Sequence, residues 1–311
     1  MAAIYILVSL ACASAFTVSG LSSGGFFSTQ FHVAFSSNIT GAGVLAGGPY
    51  YCSNGSQNQA EIDCLYNPLL ININTCISAA TNAASSGKID PVSNLNSASV
   101  YIFSGTKDTV VNPGVVKKTV EFYQHFTTSG KIVSNFTTPA QHAWITNTYG
   151  NACAHLGTPY INNCNLDVPG IMLLQFLGSL NPRVAPIDSN LLPFNQATYG
   201  DIKSASLSKT GYVYIPNGCK ANKCQVHIAF HGCQQSAETI GKTFVQYNGL
   251  NDWAESNNIV VIYPQITSEI LKNPQGCWDF WGYTNNNFAY KNGLQMSIVF
   301  GMAGNVPGVS W

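Results

Sequence analysis

Short apolar runs alternate with longer segments of helical periodicity along most of the chain. Helical periodicity appears at 26–35, which is amphipathic, and at 115–126, 237–257 and 293–302. This alternation predicts an α/β fold with a mostly parallel sheet and helices on both of its faces. The runs predicted as strands lie at 41–48, 99–103, 131–136, 211–216, 225–230 and 259–263.

The segments between these elements do not divide the chain. Residues 52–97 are rich in Asn and Ser and predict two short helices, and residues 182–193 predict a surface connection. The chain has no repeat and no long Ser/Thr/Pro tract. Residues 16–311 are therefore predicted to form a single domain, which at this length can bury a large core.

A candidate nucleophile lies just before the first predicted helix. Gly20, Ser22 and Gly24 form the pattern G-x-S-x-G, a sharp strand-to-helix turn that exposes a serine. Side chains at the two glycines would crowd such a turn. Ser22 is then the nucleophile, and the N–H of Ser23 at the helix N-terminus is an oxyanion donor. By itself the pattern is equally typical of a Ser/Gly-rich loop without chemistry.

Two later loops supply the partners that such a serine needs. Asp108 comes just after the strand at 99–103 and His142 after the strand at 131–136, in the Ser, Asp, His order of α/β-hydrolases. The acid would orient the imidazole, which takes the serine proton. A loop Asp is often only a turn residue or a helix cap, and a loop His is often a surface group. The other candidates are Asp63, Asp90, Asp167, His125, His155, His227 and His231.

The N-terminus and the cysteines favour export. The apolar run 2–11 and the A-x-A pattern ending at Ala15 predict a signal peptide over 1–15, too short to span a bilayer. Alternatively, part of this run is the strand that enters Ser22.

Sequons at Asn38, Asn54 and Asn135 are candidate glycosylation sites. No cysteine spacing fits a four-ligand zinc site, so disulfides are predicted, with Cys76 left over. The predicted pairs are Cys52–Cys64, Cys153–Cys164, Cys219–Cys224 and Cys233–Cys277.

The charge composition argues against a nucleic-acid partner. The formal net charge is zero and charged residues make up 8% of the chain. Dispersed Lys and Arg residues do not form the basic surface that nucleic acids require. The composition suits an uncharged substrate.

The second half of the chain carries elements that ordinarily precede such a nucleophile. His231-Gly232 follows the strand at 225–230, where α/β-hydrolases place a second oxyanion donor. Since this motif comes after Ser22, the sequence predicts a circular permutation. The helix at 293–302 would then stand beside the strand that enters Ser22.

Six segments spread over nearly the whole chain carry a family resemblance. The chain resembles the fungal extracellular poly(3-hydroxybutyrate) depolymerases, which are single-domain, circularly permuted α/β-hydrolases. The resemblance implies Ser22, Asp108 and His142 as the triad, with the N–H groups of Ser23 and Cys233 as the oxyanion hole. The segments are V-S-G-L-S-S-G-G at 18–25, A-G-G-P-Y at 46–50, S-G-T-K-D-T-V at 104–110, H-G-C at 231–233, Y-P-Q at 263–265 and N-P-Q-G-C-W-D-F at 273–280.

One position departs from the family pattern, which reads C-W-D-W near the end. The second Trp lines the substrate crevice in the family, and its place is taken here by Phe280. A ring remains at this position without the indole N–H. Phe280, Trp278 and Tyr50 are the candidate substrate-binding residues, and Tyr51 and Trp281 are further candidates for adsorption to a solid.

The sequence therefore predicts a secreted, monomeric serine esterase that depolymerises short-chain polyhydroxyalkanoate through an acyl-enzyme, without metal or cofactor. Two other functions stay open. One is a carbohydrate-directed esterase of the feruloyl or acetyl xylan type, which relative rates on polyhydroxybutyrate film and feruloylated xylan would distinguish. The other is a non-catalytic binding protein on the same fold, which a serine-directed phosphonate would fail to label at Ser22.

Overall fold

The structure is a computed structural model that describes residues 15–220 and 223–305. Residues 1–14, which hold nearly all of the predicted signal peptide, lie outside the described residues. The strands are β1 (Phe16–Leu21), β2 (Ile39–Leu45), β3 (Ser99–Phe103), β4 (Ile132–Asn135), β5 (Trp144–Thr146), β6 (Asn151–Ala152), β7 (Ile161–Asn163), β8 (Leu191–Asn195), β9 (Thr210–Tyr214), β10 (Gln225–Phe230) and β11 (Ile259–Tyr263). The α-helices are α1 (Ser23–Ala34), α2 (Gln57–Gln59), α3 (Ile73–Ser85), α4 (Pro113–Phe126), α5 (Val168–Leu177), α6 (Ala237–Ile240), α7 (Thr243–Tyr247), α8 (Leu250–Asn257) and α9 (Leu294–Ala303).

Eight of these strands form one sheet in the order β4-β3-β2-β1-β10-β11-β9-β8, and the other three form a small parallel sheet. In the large sheet, β9 runs antiparallel to both of its neighbours and the other pairings are parallel. The predicted α/β fold with a mostly parallel sheet is therefore confirmed.

Helices cover both faces of this sheet. Phe230 and His227 lie three residues apart on β10, so their side chains point to opposite faces. Phe27 of α1 packs edge-on against Phe230, with ring centroids 5.0 Å apart. Phe176 of α5 stacks over His227 at 6.3 Å. Helices α1 and α5 therefore lie on opposite sides of the central strands.

The order of the strands shows the circular permutation. Strand β1 lies at the centre of the sheet between β2 and β10, although it is the first strand of the described chain. At the other end, Phe300 of α9 lies 6.1 Å from the ring of Phe16 and stacks on Phe35 at 4.2 Å. The last helix thus packs beside the start of the first strand, as the sequence predicts.

Helix α1 differs from its prediction as an amphipathic helix. All of its residues are buried, including polar ones. Gln30 donates to the carbonyl of Asp279 at 3.0 Å, and His32 shares a 2.9 Å hydrogen bond with the hydroxyl of Tyr123. The helix has the sheet on one side and the loop around residue 279 on another, so its polar positions meet protein partners instead of solvent.

Other segments also differ from the sequence-based expectations. The predicted helix at 237–257 is three helices, separated at Gly241 and Gly249, whose φ angles of 61° and 82° are left-handed. The predicted connection at 182–193 contains the start of the edge strand β8. Helix α5 and the small sheet were not predicted.

Among the described residues, four disulfides join the pairs that the sequence predicts, and Cys76 is buried and has no disulfide partner there. Burial raises the pKa of the Cys76 thiol to about 12. Among the described residues, no helix combines the length and the apolar character needed to cross a bilayer.

Candidate active site

Ser22 occupies the turn between β1 and α1. Its backbone has φ 57° and ψ −123°, a conformation that residues other than glycine rarely adopt. A Cβ at Gly20 would lie 2.1 Å from the carbonyl oxygen of Gly24, and a Cβ at Gly24 would lie 2.5 Å from those of Phe230 and His231. Both glycines are therefore required by close backbone approach, which lets strand and helix meet at a sharp corner.

Asp108 and His142 lie together at the carboxyl ends of β3 and β4. His142 Nδ1 is 2.8 Å from Asp108 Oδ2, and both side chains are buried. The other carboxylate oxygen accepts the N–H groups of Val110 and Val111, each at 2.9 Å. Because a carboxylate only accepts hydrogen bonds, Nδ1 of the imidazole carries the proton of this contact, and in the neutral ring Nε2 presents its lone pair.

Gln141 ties the two loops together, and its role was not foreseen from the sequence. Its side-chain oxygen accepts the N–H of Thr109 at 2.8 Å and that of His142 at 2.9 Å. Its side-chain nitrogen donates to the hydroxyl of Thr109 at 3.0 Å. The amide fixes the backbone on both sides of the Asp–His pair, but one Gln in an amide-rich chain gives no distinctive signal.

Ser22 and His142 line the same cavity of about 350 Å³, within the range of small-molecule sites. Ser23 and Cys233 also line it. In the described part of the chain, no acceptor bonds to the backbone N–H of Ser23 or of Cys233. Two free backbone donors beside a hydroxyl and an imidazole are the groups that an acyl-transfer site requires.

Trp278 and Tyr50, two of the predicted substrate-binding residues, do not lie at the cavity in this structure. Both side chains are fully buried, and neither lines the cavity. Trp278 packs between Phe27 and Phe230 at 4.7 and 4.9 Å, and Tyr50 donates to the carbonyl of Ala289. Both aromatic side chains pack in the core beneath the site.

Phe280 and Trp281 do line the cavity. Phe280 stacks on Phe26 with centroids 4.3 Å apart and an interplanar angle of 16°, and 6% of its surface is exposed. Trp281 packs edge-on against it at 4.9 Å. Tyr51 is partly buried and stacks on Phe288 at 5.4 Å, away from the cavity lining.

Asp279 organises the loop that presents these two rings. Its carboxylate accepts the backbone N–H groups of Trp281, Gly282, Tyr283 and Thr284 at 2.6 to 3.2 Å. Burial raises the pKa of this carboxyl above its ordinary value, while these hydrogen bonds act in the opposite direction. The sequence analysis missed this role, because a loop Asp gives no signal of how many amides will converge on it.

Within residues 15–220 and 223–305, no three His, Cys, Asp or Glu side chains are grouped as a metal site would require.

The sequence is similar to two curated proteins. It is 42% identical over 296 residues to the poly(3-hydroxybutyrate) depolymerase of Delftia acidovorans, covering 93% of this chain and 59% of that protein. It is 36% identical over 304 residues to the polyhydroxybutyrate depolymerase of Talaromyces funiculosus, covering 92% and 87%. The chain thus spans well under two thirds of the Delftia protein and most of the Talaromyces protein. No family model matches the sequence.

Two solved structures resemble this one. The crystal structure of PHB depolymerase from Penicillium funiculosum superposes with a TM-score of 0.87 at 34% identity, covering 96% of this chain and 97% of the other. A serine-to-alanine variant of a PHB depolymerase, complexed with an R3HB trimer, gives the same TM-score and identity with 96% and 99% coverage.

Proposed function

Because the chain belongs to the polyhydroxybutyrate depolymerase family, we propose that it is a serine esterase that hydrolyses poly(3-hydroxybutyrate) and related short-chain polyhydroxyalkanoates. The single observation that carries this proposal is the arrangement of the site. Asp108 and His142 are joined by a hydrogen bond of 2.8 Å, and His142 and Ser22 line the same cavity.

The proposed reaction follows from these groups. Ser22 Oγ attacks the ester carbonyl carbon while His142 Nε2 takes its proton. The N–H groups of Ser23 and Cys233 donate to the oxyanion that forms. When the ester C–O bond breaks, the imidazolium returns the proton to the leaving hydroxyl of the polymer. A water molecule, deprotonated by the same imidazole, then hydrolyses the acyl-enzyme.

The surroundings of the cavity suit a neutral, water-insoluble polymer. Two segments that adjoin cavity-lining residues in sequence carry exposed apolar side chains. Leu69 is 92% exposed, and Ile270 and Leu271 are 91% and 98% exposed. Ile62, Tyr66 and Leu70 continue the first of these segments. Exposed apolar side chains of this density favour adsorption to an apolar solid.

We also propose that the protein is secreted and acts as a monomer with one catalytic domain over residues 16–311. Four disulfides support an oxidising compartment. Glycosylation at Asn38, Asn54 and Asn135 stays a prediction. The asparagine of the second sequon is exposed and the other two are partly buried.

Ser22→Ala tests the proposed nucleophile. Hydrolysis of polyhydroxybutyrate film and of soluble 3-hydroxybutyrate oligomers should fall by a factor on the order of 10⁶, because the acyl-enzyme cannot form. Thermal unfolding and adsorption to film should stay unchanged. Ser85→Ala, at an exposed position of α3, is the matched control and should keep full activity. Retention of a tenth of the activity in Ser22→Ala would refute the assignment.

The substrate class is tested separately with the unmodified protein. A serine-directed phosphonate should label Ser22, and film should be hydrolysed much faster than feruloylated or acetylated xylan. The opposite order of rates would favour the carbohydrate-directed esterase. Absence of any adduct on Ser22 would favour a non-catalytic binding protein.

A further inference from the structure

The proposed oxyanion donor on the loop after β10 belongs to a peptide bond with a second polar end. The N–H of Cys233 and the carbonyl of Gly232 are parts of the same planar unit, which is trans. In a trans peptide these two groups point in opposite directions. Whatever holds the Gly232 oxygen therefore also sets the direction of the Cys233 N–H.

The Gly232 oxygen is held by a buried histidine that the proposed reaction does not use. His231 Nδ1 lies 2.7 Å from this oxygen, and the N–H of Gln235 donates to it at 3.2 Å. On the other side of the ring, His231 Nε2 accepts the N–H of Ile266 at 3.2 Å. Because a backbone N–H only donates, the Ile266 contact fixes the tautomer with the proton on Nδ1.

The ring stays neutral in this environment. His231 is fully buried, and its burial lowers the pKa to about 4. A neutral ring with the proton on Nδ1 can donate to Gly232 and accept from Ile266 at the same time.

The remaining N–H groups of the loop are also occupied. The N–H of Gly232 donates to Gln235 Oε1 at 2.6 Å, and the N–H of Gln234 donates to the carbonyl of Gln275 at 2.8 Å. Across residues 232–235, the N–H of Cys233 is the one without an acceptor in the described part of the chain. The backbone N–H groups of the loop are thus hydrogen-bonded except that of Cys233, a residue that lines the cavity.

We propose that His231 is a positioning residue for the oxyanion hole, whose Nδ1–H anchors the Gly232 carbonyl and so aims the Cys233 N–H at the reacting ester. This inference rests on the proposed esterase function. The hydrogen bond from His231 to the Gly232 carbonyl stabilises the charged tetrahedral state more than the bound substrate. Its loss therefore lowers kcat and leaves KM nearly unchanged.

Two substitutions separate the two hydrogen bonds of the ring. His231→Asn keeps an amide N–H near the position of Nδ1, whereas His231→Gln keeps an amide oxygen near the position of Nε2. Against a soluble 3-hydroxybutyrate trimer, His231→Gln should lose about 10- to 100-fold in kcat, less than the 10²- to 10³-fold typical of deleting an oxyanion donor. His231→Asn should recover most of that loss.

A boronic acid provides a readout that a merely structural role would not move. Phenylboronic acid forms a tetrahedral adduct on an active serine, with an oxygen in the oxyanion hole. Its inhibition constant should rise in His231→Gln in proportion to the loss in kcat. His227→Gln, at another fully buried histidine, which lies on the strand β10 that precedes His231, is the control and should lose thermal stability without that change.

A measurement on the unmodified protein covers the case in which these variants do not fold. The ¹⁵N spectrum of histidine-labelled protein at pH 7, assigned through contacts with Ile266, should show His231 protonated on Nδ1 alone. A ring protonated on Nε2 would overturn the inference, as would wild-type kcat in His231→Gln or equal losses in both variants. If the wild-type protein neither hydrolyses the trimer nor labels at Ser22, the proposed function itself fails.

Discussion

Phe280 belongs to both the core and the cavity wall. Its ring stacks on Phe26 and makes a T-shaped contact with Trp281, and the residue also lines the cavity with Ser22. Its carbonyl also accepts the hydroxyl of Ser53 at 2.5 Å, which holds the backbone in place. A substitution here changes both the stability of the fold and the shape of the site.

Phe280→Ala should lower hydrolysis of polyhydroxybutyrate film and of soluble oligomers about 10- to 100-fold, because a flat apolar ring is worth about 1–3 kcal/mol in contact with substrate. Phe280→Trp should preserve or raise both rates. Rates on the two substrates are compared alongside thermal unfolding. A loss confined to film would assign the ring to adsorption, and unchanged rates in Phe280→Ala would assign it to the core.

At this scale the sequence predicts what local chemistry determines. Ser22 is marked by its flanking glycines, and Asp108 and His142 are marked by their positions after strands. Trp278 and Phe280 are only two residues apart, yet one is sealed beneath the site and the other lines it. Which side of a loop faces the cavity depends on what packs over it, and the sequence does not carry that information locally.

At the scale of elements, the disulfide Cys233–Cys277 joins the loop after β10 to the loop that carries Phe280. Both cysteines line the cavity. They are 44 residues apart in sequence, whereas Cys219 and Cys224 are 5 apart. Since the stabilisation by a cross-link grows with the length of the loop that it closes, Cys233–Cys277 should contribute more to the free energy of unfolding than Cys219–Cys224.

Replacing both Cys233 and Cys277 by Ala should lower the free energy of unfolding by about 4 kcal/mol and lower kcat as well, because the loop after β10, which carries the proposed oxyanion donor, loses its covalent tie. The matched control replaces Cys219 and Cys224, which should cost about 2 kcal/mol and leave kcat unchanged. Urea unfolding and steady-state kinetics measure both. Peptide mapping that finds Cys233 as a free thiol, or equal effects of the two double variants, would contradict this assignment.

The elements themselves were predictable where their period was clear. Strand β3 and helix α4 agree with the sequence to within two residues, since each has a strong apolar pattern and an abrupt end. The prediction of one helix over 237–257 was wrong, because two glycines with positive φ interrupt an apolar pattern that looks continuous in the sequence. The prediction that helix α1 is amphipathic was wrong for a different reason. Its polar residues suggest a solvent-exposed face, but tertiary packing buries that face.

At the scale of the whole molecule, three fully buried histidines make the fold sensitive to acid. Burial lowers the pKa of His32 and of His227 to about 3 and that of His231 to about 4. The unfolded chain binds protons on these rings below about pH 6.5, and the folded chain does not until its lower pKa is reached. The stabilisation is thus fully present above pH 6.5 and is lost as the pH falls towards 3–4.

Each such histidine should cost up to about 1.4 kcal/mol of unfolding free energy per pH unit below pH 6.5. His32→Gln should therefore flatten the dependence by about one proton, measured by urea unfolding at pH 7.5, 6.0 and 5.0. His125→Gln, at an exposed position, is the control and should keep the wild-type slope. Equal slopes in all three proteins would mean that His32 takes up its proton in the folded state. Asp279, whose pKa burial raises, contributes with the opposite sign, so the comparison is made between variants.

The topology was predictable because its cause is visible in the order of the motifs along the chain. An oxyanion motif that follows its nucleophile can serve the same site only if the strand order is permuted. The edge strand β8 and the small sheet β5-β7-β6 were not predictable, because strands of two to five residues at an edge carry little apolar periodicity.

The central position of β1 has a consequence for how the protein is made. The ribosome releases this strand long before its partner β10, because Phe16 pairs with Val226, 210 residues later. At ordinary rates of elongation, about 5–20 residues per second, the wait lasts roughly 10–40 seconds. During that interval β2 can pair with one edge of β1, while the other edge presents unpaired N–H and C=O groups next to helix α1, whose residues are all buried in the folded protein. Strand β1 is thus synthesised well before its partner β10, so the nascent chain depends on being shielded until the residues of β10 emerge.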